Sequence, residues 1–269
     1  MKKVLAFILA LVLMVCCLTA CGAEGSKNDG DEGRTFVVGF DAEFPPFGFI
    51  DENGDYDGFD LAVAQEVCNR LGWTFKAQPI DWNSKDAELN SGNIDCIWNG
   101  FTKADDLLDD YCWTDPYYDN SIIMVVKADS GINSLADLAG KNVITQAGSS
   151  ALIALEADTE LTPTFGDLLE CADYNSAFLE LDNGGADAIA ADVGVANYNM
   201  SKKDGAYKIL DEAVSSEVYA IGFRVEDTEL ANTVWEQVKA IAADGTMEKL
   251  AKNYVEYGLV IESLSLLNK

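Results

Sequence analysis

Apolar residues recur at helical spacing from Asp60 to Leu71, where Leu61, Ala64, Cys68 and Leu71 fall on one face, and Gly72 stops the helix. Trp73 to Ile80 then alternates, which predicts a strand. Short apolar runs predict further strands at Thr35 to Phe40, Ile94 to Trp98, Ile122 to Lys127, Val143 to Gln146, Ala186 to Ala190 and Tyr219 to Arg224. Helices are predicted from Ser134, with a Ser cap, an acid three residues on and a Gly stop at Gly140; from Ala151; and over Asn175 to Leu181. Two amphipathic helices close the chain. Leu230, Val234, Val238 and Ile241 mark the first; Met247, Leu250, Ala251 and Tyr254 mark the second, after the break at Asp244-Gly245-Thr246. Strands alternating with helices predict an α/β fold.

One pattern occurs twice. ELNSGNIDCIWNG starts at Glu88 and ELDNGGADAIAAD at Glu180; at one constant offset Leu89 matches Leu181, Gly92 Gly184, Asp95 Asp187 and Ile97 Ile189. Each copy is a helix end, a Gly turn and a short apolar strand. The first strand runs out into Asn99-Gly100, the second into Ala191-Asp192. Ligands of open α/β sheets sit at the carboxyl ends of strands, so two such ends predict two lobes facing each other across a cleft. The alternative is chance recurrence of a common unit.

Composition narrows the function. The 269 residues suffice for one large or two modest domains. The formal charge is −28, with 18 basic against 46 acidic residues and no basic run beyond Lys2-Lys3, which argues against a nucleic-acid partner. Histidine is absent, which removes Ser-His and Cys-His nucleophilic pairs and the commonest metal ligand. No metal or cofactor is expected. Seven cysteines are present. Cys68, Cys96, Cys112 and Cys171 show no disulfide framework and no CxxC pair, and are expected as buried free thiols.

The N-terminus reads as an address. A basic start at Lys2-Lys3 precedes an apolar run from Val4 to Leu18, too short for a comfortable membrane span and suited to a signal-peptide core. It ends in Leu18-Thr19-Ala20-Cys21, which resembles the bacterial lipoprotein processing box. That resemblance implies removal of residues 1–20 and a diacylglyceryl group on Cys21. Residues 21–34 read as a flexible, Gly-rich acidic tether.

Three stretches carry candidate chemistry. After the first strand, Asp41 and Phe44 sit in a loop stiffened by Pro45-Pro46. Aromatic faces beside a carboxylate suit an organic cation. Phe47 and Phe49 read equally well as plugs of the core. Trp82, after the next strand, is a second aromatic candidate for the cleft, with a core reading beside it. Ala147-Gly148-Ser149-Ser150 joins a strand to a helix start, where free backbone N–H groups and two hydroxyls can hold an anion; plain N-capping by Ser149 is the alternative. It is not a phosphate-binding P-loop. The acids Asp51 to Asp55 read as a solvated hairpin turn.

Taken together, VGFDAEFPPFGF, GFDLAVAQEV, ELNSGNIDCIWNGFT, DPYY, SLADLAGKNVITQAGSS, ADAIAAD and DGTMEKLAKNY resemble the bacterial extracellular solute-binding proteins of polar-amino-acid ABC importers, family 3, over residues 35 to 257. The resemblance implies a two-lobed, type II periplasmic-binding-protein-like fold with two crossings, in which residues 35–121 plus 217–269 form lobe 1 and residues 122–216 form lobe 2. It implies hinge closure around a small solute. Phe44 would stack on the ligand beside Asp41. Asn99, Gly100 and Thr102 would take its α-ammonium and part of its carboxylate. Ser149 and Ser150 would hold the carboxylate from lobe 2, and Asp192 would pair with the ammonium. One position departs. The family usually carries an arginine about five residues after the threonine, clamping the α-carboxylate; here Leu107 stands in its place, and Lys103 is the only cation of that loop.

The expected function is therefore a monomeric substrate-binding lipoprotein on the extracytoplasmic face of the cell membrane. It would capture a small polar solute, foremost an amino acid, and deliver it to an ABC permease and its ATPase. A receptor for a cationic or non-standard solute, a sensory binding protein, and a dehydratase-like enzyme using Asp41, Glu43 or Glu217 as acid or base are the other readings.

Overall fold

The computed structural model describes residues 33–268. The expected signal peptide, the expected lipidation site at Cys21 and the expected tether up to residue 32 lie outside the described residues. In chain order the strands and helices are β1 (Thr35–Phe40), β2 (Glu43–Phe44), β3 (Gly48–Ile50), β4 (Tyr56–Asp57), α1 (Phe59–Leu71), β5 (Thr74–Pro79), α2 (Lys85–Asn90), β6 (Cys96–Ile97), β7 (Cys112–Trp113), β8 (Tyr118–Lys127), β9 (Asn142–Gln146), α3 (Ser150–Ala157), β10 (Asp167–Cys171), α4 (Tyr174–Asn183), β11 (Ala188–Asp192), α5 (Val193–Lys202), β12 (Tyr207–Tyr219), β13 (Gly222–Phe223), α6 (Thr228–Ala243) and α7 (Thr246–Ala251). Among them lie two five-stranded sheets, ordered β5-β1-β6-β13-β7 and β10-β9-β11-β8-β12, with a small β2-β3-β4 sheet beside the first.

The repeated sequence pattern is a repeated structure. Gly92 and Gly184 both take φ of +78°, the left-handed turn that glycine adopts without steric cost. The matched aspartates do one job in both sheets. Asp95 Oδ2 accepts from Val37 N at 2.7 Å, and Asp187 Oδ2 from Asn142 N at 2.9 Å. Their own N–H groups donate to the carbonyls of the same two partners, at 2.7 and 2.8 Å. Each aspartate thereby locks its strand beside a parallel neighbour, β6 beside β1 and β11 beside β9.

Two long antiparallel strands, β8 and β12, tie the halves together. Most of their length belongs to the second sheet. Their near ends are bonded into the first lobe: Lys103 N donates to Val218 O, Ala220 N to Phe101 O, and Tyr117 N to Tyr219 O. The hydrophobic pattern does not reveal β12. Its segment Ser215-Ser216-Glu217 reads as a polar break and the apolar Tyr219 to Arg224 as the strand. The ladder instead runs through the polar segment to Tyr219, and Gly222–Phe223 is a separate short strand. The reason is that Ser215, Ser216 and Glu217 line a cleft rather than a core, so burial imposes no apolar alternation on them.

The core settles Phe47 and Phe49. Phe47 is fully buried, edge-on to Tyr118 and Tyr219 at 5.1 and 5.2 Å, and Phe49 stacks on Tyr257 at 4.8 Å. Full burial of such a ring is worth about 1.5–3 kcal/mol. The predicted helix at Ser134 is one 3₁₀ turn, Leu135–Leu138, closed by the expected Ser134–Asp137 capping box. All four described cysteines are free thiols, but only Cys68 and Cys96 are buried. Cys112 and Cys171 are half-buried, and the Cys171 thiol donates to the Thr145 and Asp173 carbonyls, so its surroundings are polar.

Candidate functional site

A cavity of about 880 Å³ lies where the strand tips of the two sheets meet. Phe44, Trp82, Gly100, Thr102 and Leu107 line it from the first lobe, and Gln146, Gly148, Ser149, Ser150 and Asp192 from the second. Residues 119–121 of β8 and 215–218 of β12 complete the wall. The size suits a small-molecule pocket.

On the first-lobe side the wall is aromatic. Phe44 packs at 5.9 Å from both Phe47 and Tyr174, the latter contributed by the second lobe. Trp82 stands edge-on to Phe101 at 5.7 Å, so it faces both core and cavity. Leu107, in the position at which the resemblance calls for an arginine, packs against this aromatic group. Gly100 needs its φ of +56°, and a Cβ there would fall 2.8 Å from Phe44. Its N–H donates to Asp60 Oδ2 at 2.7 Å, and the Tyr117 hydroxyl donates to the same oxygen at 2.6 Å. Asp60 is completely buried, and loss of water pushes its pKa up to about 7.

On the second-lobe side Ser149 does cap α3, accepting from Leu152 N at 3.1 Å, while Ser150 opens that helix and lines the cavity. Asp192, at the tip of β11, is 3% exposed. Its Oδ1 accepts from Asn120 Nδ2 at 2.7 Å and from the Tyr219 hydroxyl. Asn120 Nδ2 also donates to Glu217 Oε1 at 2.8 Å, so one amide holds two carboxyl groups together. Burial first, and the neighbouring Glu217 second, raise the Asp192 pKa to about 8. Burial likewise raises that of Glu217. A cation placed between them would restore both charges.

Two of the expected site residues stand behind the wall. Asn99 is 1% exposed, and its Oδ1 accepts from Asp41 N at 2.9 Å. The Asp41 carboxylate accepts from Glu43 N at 2.8 Å and, across the lobes, from Gln146 Nε2. Neither lines the cavity; they fix the strand tips. Both belong to strand ends, as the sequence indicates; both Asp41 carboxylate oxygens and Asn99 Oδ1 accept internal bonds, while Asn99 Nδ2 is buried without a partner. Conversely, Asn120, Gln146 and Lys85 line the cavity without a sequence motif to announce them, and Glu217, expected only as an acid or base of an enzyme, stands with them. Polar residues inside otherwise apolar strands, as at Asn120 and Gln146, are the available signal. Lys85 Nζ lies 5.3 Å from the Trp82 ring centroid and donates to Gly148 O in the other lobe at 3.2 Å. Burial lowers its pKa. Among the described residues no three His, Cys, Asp or Glu side chains converge as a metal cage, and no helix is long and apolar enough to cross a membrane.

Two similar α/β lobes, joined by paired long strands and enclosing a cavity with aromatic and acidic walls at their strand tips, define a two-lobed binding protein of the type II periplasmic class. Residues 36–257 match the bacterial extracellular solute-binding proteins, family 3, and the chain belongs to that family. It is 32% identical over 250 residues to the arginine-binding extracellular protein ArtP of Bacillus subtilis, covering 91% of this chain and 96% of that one. It is 27% identical to the L-cystine-binding protein TcyJ of Escherichia coli K12, covering 86% of each. Among solved structures, a histidine-bound ABC uptake transporter substrate-binding protein from Streptococcus pneumoniae superimposes with a TM-score of 0.80 at 31% identity, covering 84% of this chain and 94% of that one. An ancestral arginine-binding protein bound to arginine gives 0.76 at 32% identity, covering 83% and 99%. These relatives are solute-binding proteins of amino-acid importers, not enzymes.

Proposed function

We propose that the chain is the substrate-capturing component of an ABC importer, held by a lipid on Cys21 at the extracytoplasmic face of the membrane and acting as a monomer by binding rather than turnover. Its ligand is a small polar solute of the amino-acid class that carries an ammonium or guanidinium group. The observation that carries this reading is the Asp192–Asn120–Glu217 group, two carboxyl groups held by one amide in the wall of the cavity between the lobes. The relatives' names, with arginine, cystine, glutamine and histidine among their ligands, support that choice of class. The loaded protein would hand its solute to a permease driven by an ATPase. A screen of amine-bearing solutes by thermal shift tests the reading: at least one stabilises the protein through Asp192, and no response from any of them overturns it. Fractionation of a Cys21→Ser variant tests the anchor, since that protein is expected in the soluble fraction.

A further inference from the structure

The cavity wall treats positive and negative groups unequally. Asp86, Asp105, Asp119, Asp192 and Glu217 line it against two lysines, Lys85 and Lys103, and no arginine. Both lysines are tied to backbone: Lys103 Nζ donates to Thr114 O at 3.0 Å and Lys85 Nζ to Gly148 O at 3.2 Å. The hydroxyls of Thr102 and Ser150, which could welcome a ligand's carboxylate from the two lobes, line the same cavity as Glu217, whose Oε1 accepts from Asn120 Nδ2 at 2.8 Å and whose carboxylate both hydroxyls favour against burial. Glu217 thus fills, from the protein's own chain, the place a carboxylate would take. Leu107 adds an apolar group where a clamping cation would stand, packed with Trp82, Phe101 and Tyr111.

From this arrangement, and resting on the reading above, we infer that the site selects organic cations lacking a free carboxylate, such as amines derived from amino acids, over the amino acids themselves. The amine or guanidinium end lies against Asp192 and Glu217, and the body of the molecule lies along the Phe44 and Trp82 side. A free carboxylate on the same small molecule would be brought close to Glu217. It would meet a like charge in a partly desolvated site, where such repulsion discriminates strongly.

The test pairs molecules that differ only by the carboxylate: L-arginine with agmatine, L-lysine with cadaverine, L-phenylalanine with phenethylamine. Calorimetry on the purified protein is expected to show the decarboxylated member binding at least tenfold more tightly in one pair or more. Glu217→Gln should narrow that ratio by improving the amino acid. If in every binding pair the amino acid is the tighter ligand, the inference is wrong while the solute-capture reading stands; loss of that binding in Lys85→Met would then name Lys85 as the carboxylate's partner. If no pair binds, the inference falls as well, and binding of an uncharged-side-chain zwitterion such as glutamine would still support capture of an amino acid.

Discussion

Gln146, at the tip of β9, donates its Nε2 hydrogen to Oδ2 of Asp41, just past the tip of β1, at 2.5 Å across the two lobes. Both side chains are buried, and the same Gln146 nitrogen also donates to Ala172 O at 3.0 Å. The pair fastens the lobes beside the cavity. A hydrogen bond to a charged group contributes about 1.5–3 kcal/mol. That energy favours the closed arrangement, which is the arrangement that grips a solute.

Gln146→Ala is therefore expected to weaken ligand affinity by roughly tenfold while leaving each lobe folded. Calorimetry reads the affinity, and small-angle scattering reads the shape: the variant should show a larger radius of gyration than the parent protein. Unchanged affinity and radius would mean that closure does not use this bond.

The pH dependence follows from two buried carboxyl groups. The pKa of Asp192 is raised to about 8 and that of Asp60 to about 7, both chiefly by burial. The unfolded chain releases these protons near pH 4, whereas the folded protein keeps them to pH 7 or 8. The folded state then binds more protons over this window, so each group's contribution to stability is complete below about pH 4 and declines as pH rises through 7 to 8. Melting temperatures of Asp192→Asn and Asp60→Asn, taken against the parent from pH 4 to 9, should fall less steeply with pH. A parallel decline in all three proteins would remove these groups as its source.

Ligand binding should move the same proton. A cation beside Asp192 and Glu217 favours their ionised forms, so binding near pH 6.5 releases protons to the buffer and affinity rises toward pH 8. Calorimetric heats in phosphate and Tris should differ, and Asp192→Asn should bring them together.

Most of the architecture was legible because burial writes itself into sequence. The duplicated helix-Gly-strand units are visible since Gly92 and Gly184 need a left-handed φ and since Asp95 and Asp187 must bond a neighbouring strand. The cavity was legible only in part. Gly100, Thr102, Ser150 and Asp192 sit at strand or helix ends, where sequence points. Glu217 and Asn120 sit within long strands, and a strand lining a wet cleft loses the alternation that betrays a strand facing a core. At Asp41 and Asn99 the sequence shows the position at a strand tip but not the internal bonds, from Asp41 N to Asn99 Oδ1 and from Gln146 Nε2 to Asp41 Oδ2, that the structure adds there.

Asp60 supports the cavity from behind. Its Oδ2 accepts both the Gly100 N–H and the Tyr117 hydroxyl inside the core. Asp60→Ala strands two buried donors, each at a cost of about 1–3 kcal/mol, and frees the turn that carries Gly100 and Thr102. Urea unfolding should show the lost stability, and ligand affinity should drop with it. Asp60→Asn retains an acceptor and should recover most of both.

Gly148 isolates closure from folding. It lies between β9 and α3 with φ of +68°, and a Cβ there would stand 2.9 Å from Asn83 Oδ1 and 3.3 Å from Asn83 Cα, atoms of the opposite lobe. Within its own lobe the added methyl costs only the left-handed conformation, about 1–2 kcal/mol. Across the cleft it meets the backbone of Asn83, which cannot swing aside as a flexible side chain would. Lys85 Nζ, bonded to Gly148 O at 3.2 Å, would be pushed back with it. Gly148→Ala should consequently lower the melting temperature of the ligand-free protein slightly, yet weaken ligand binding tenfold or more and leave the scattering profile expanded when ligand is added. Asn83→Gly in the same chain removes the opposing side chain, the nearest contact, and should restore part of the affinity; if it restores none, the loss at Gly148 comes from the strained turn or the Asn83 backbone and not from the Asn83 side chain.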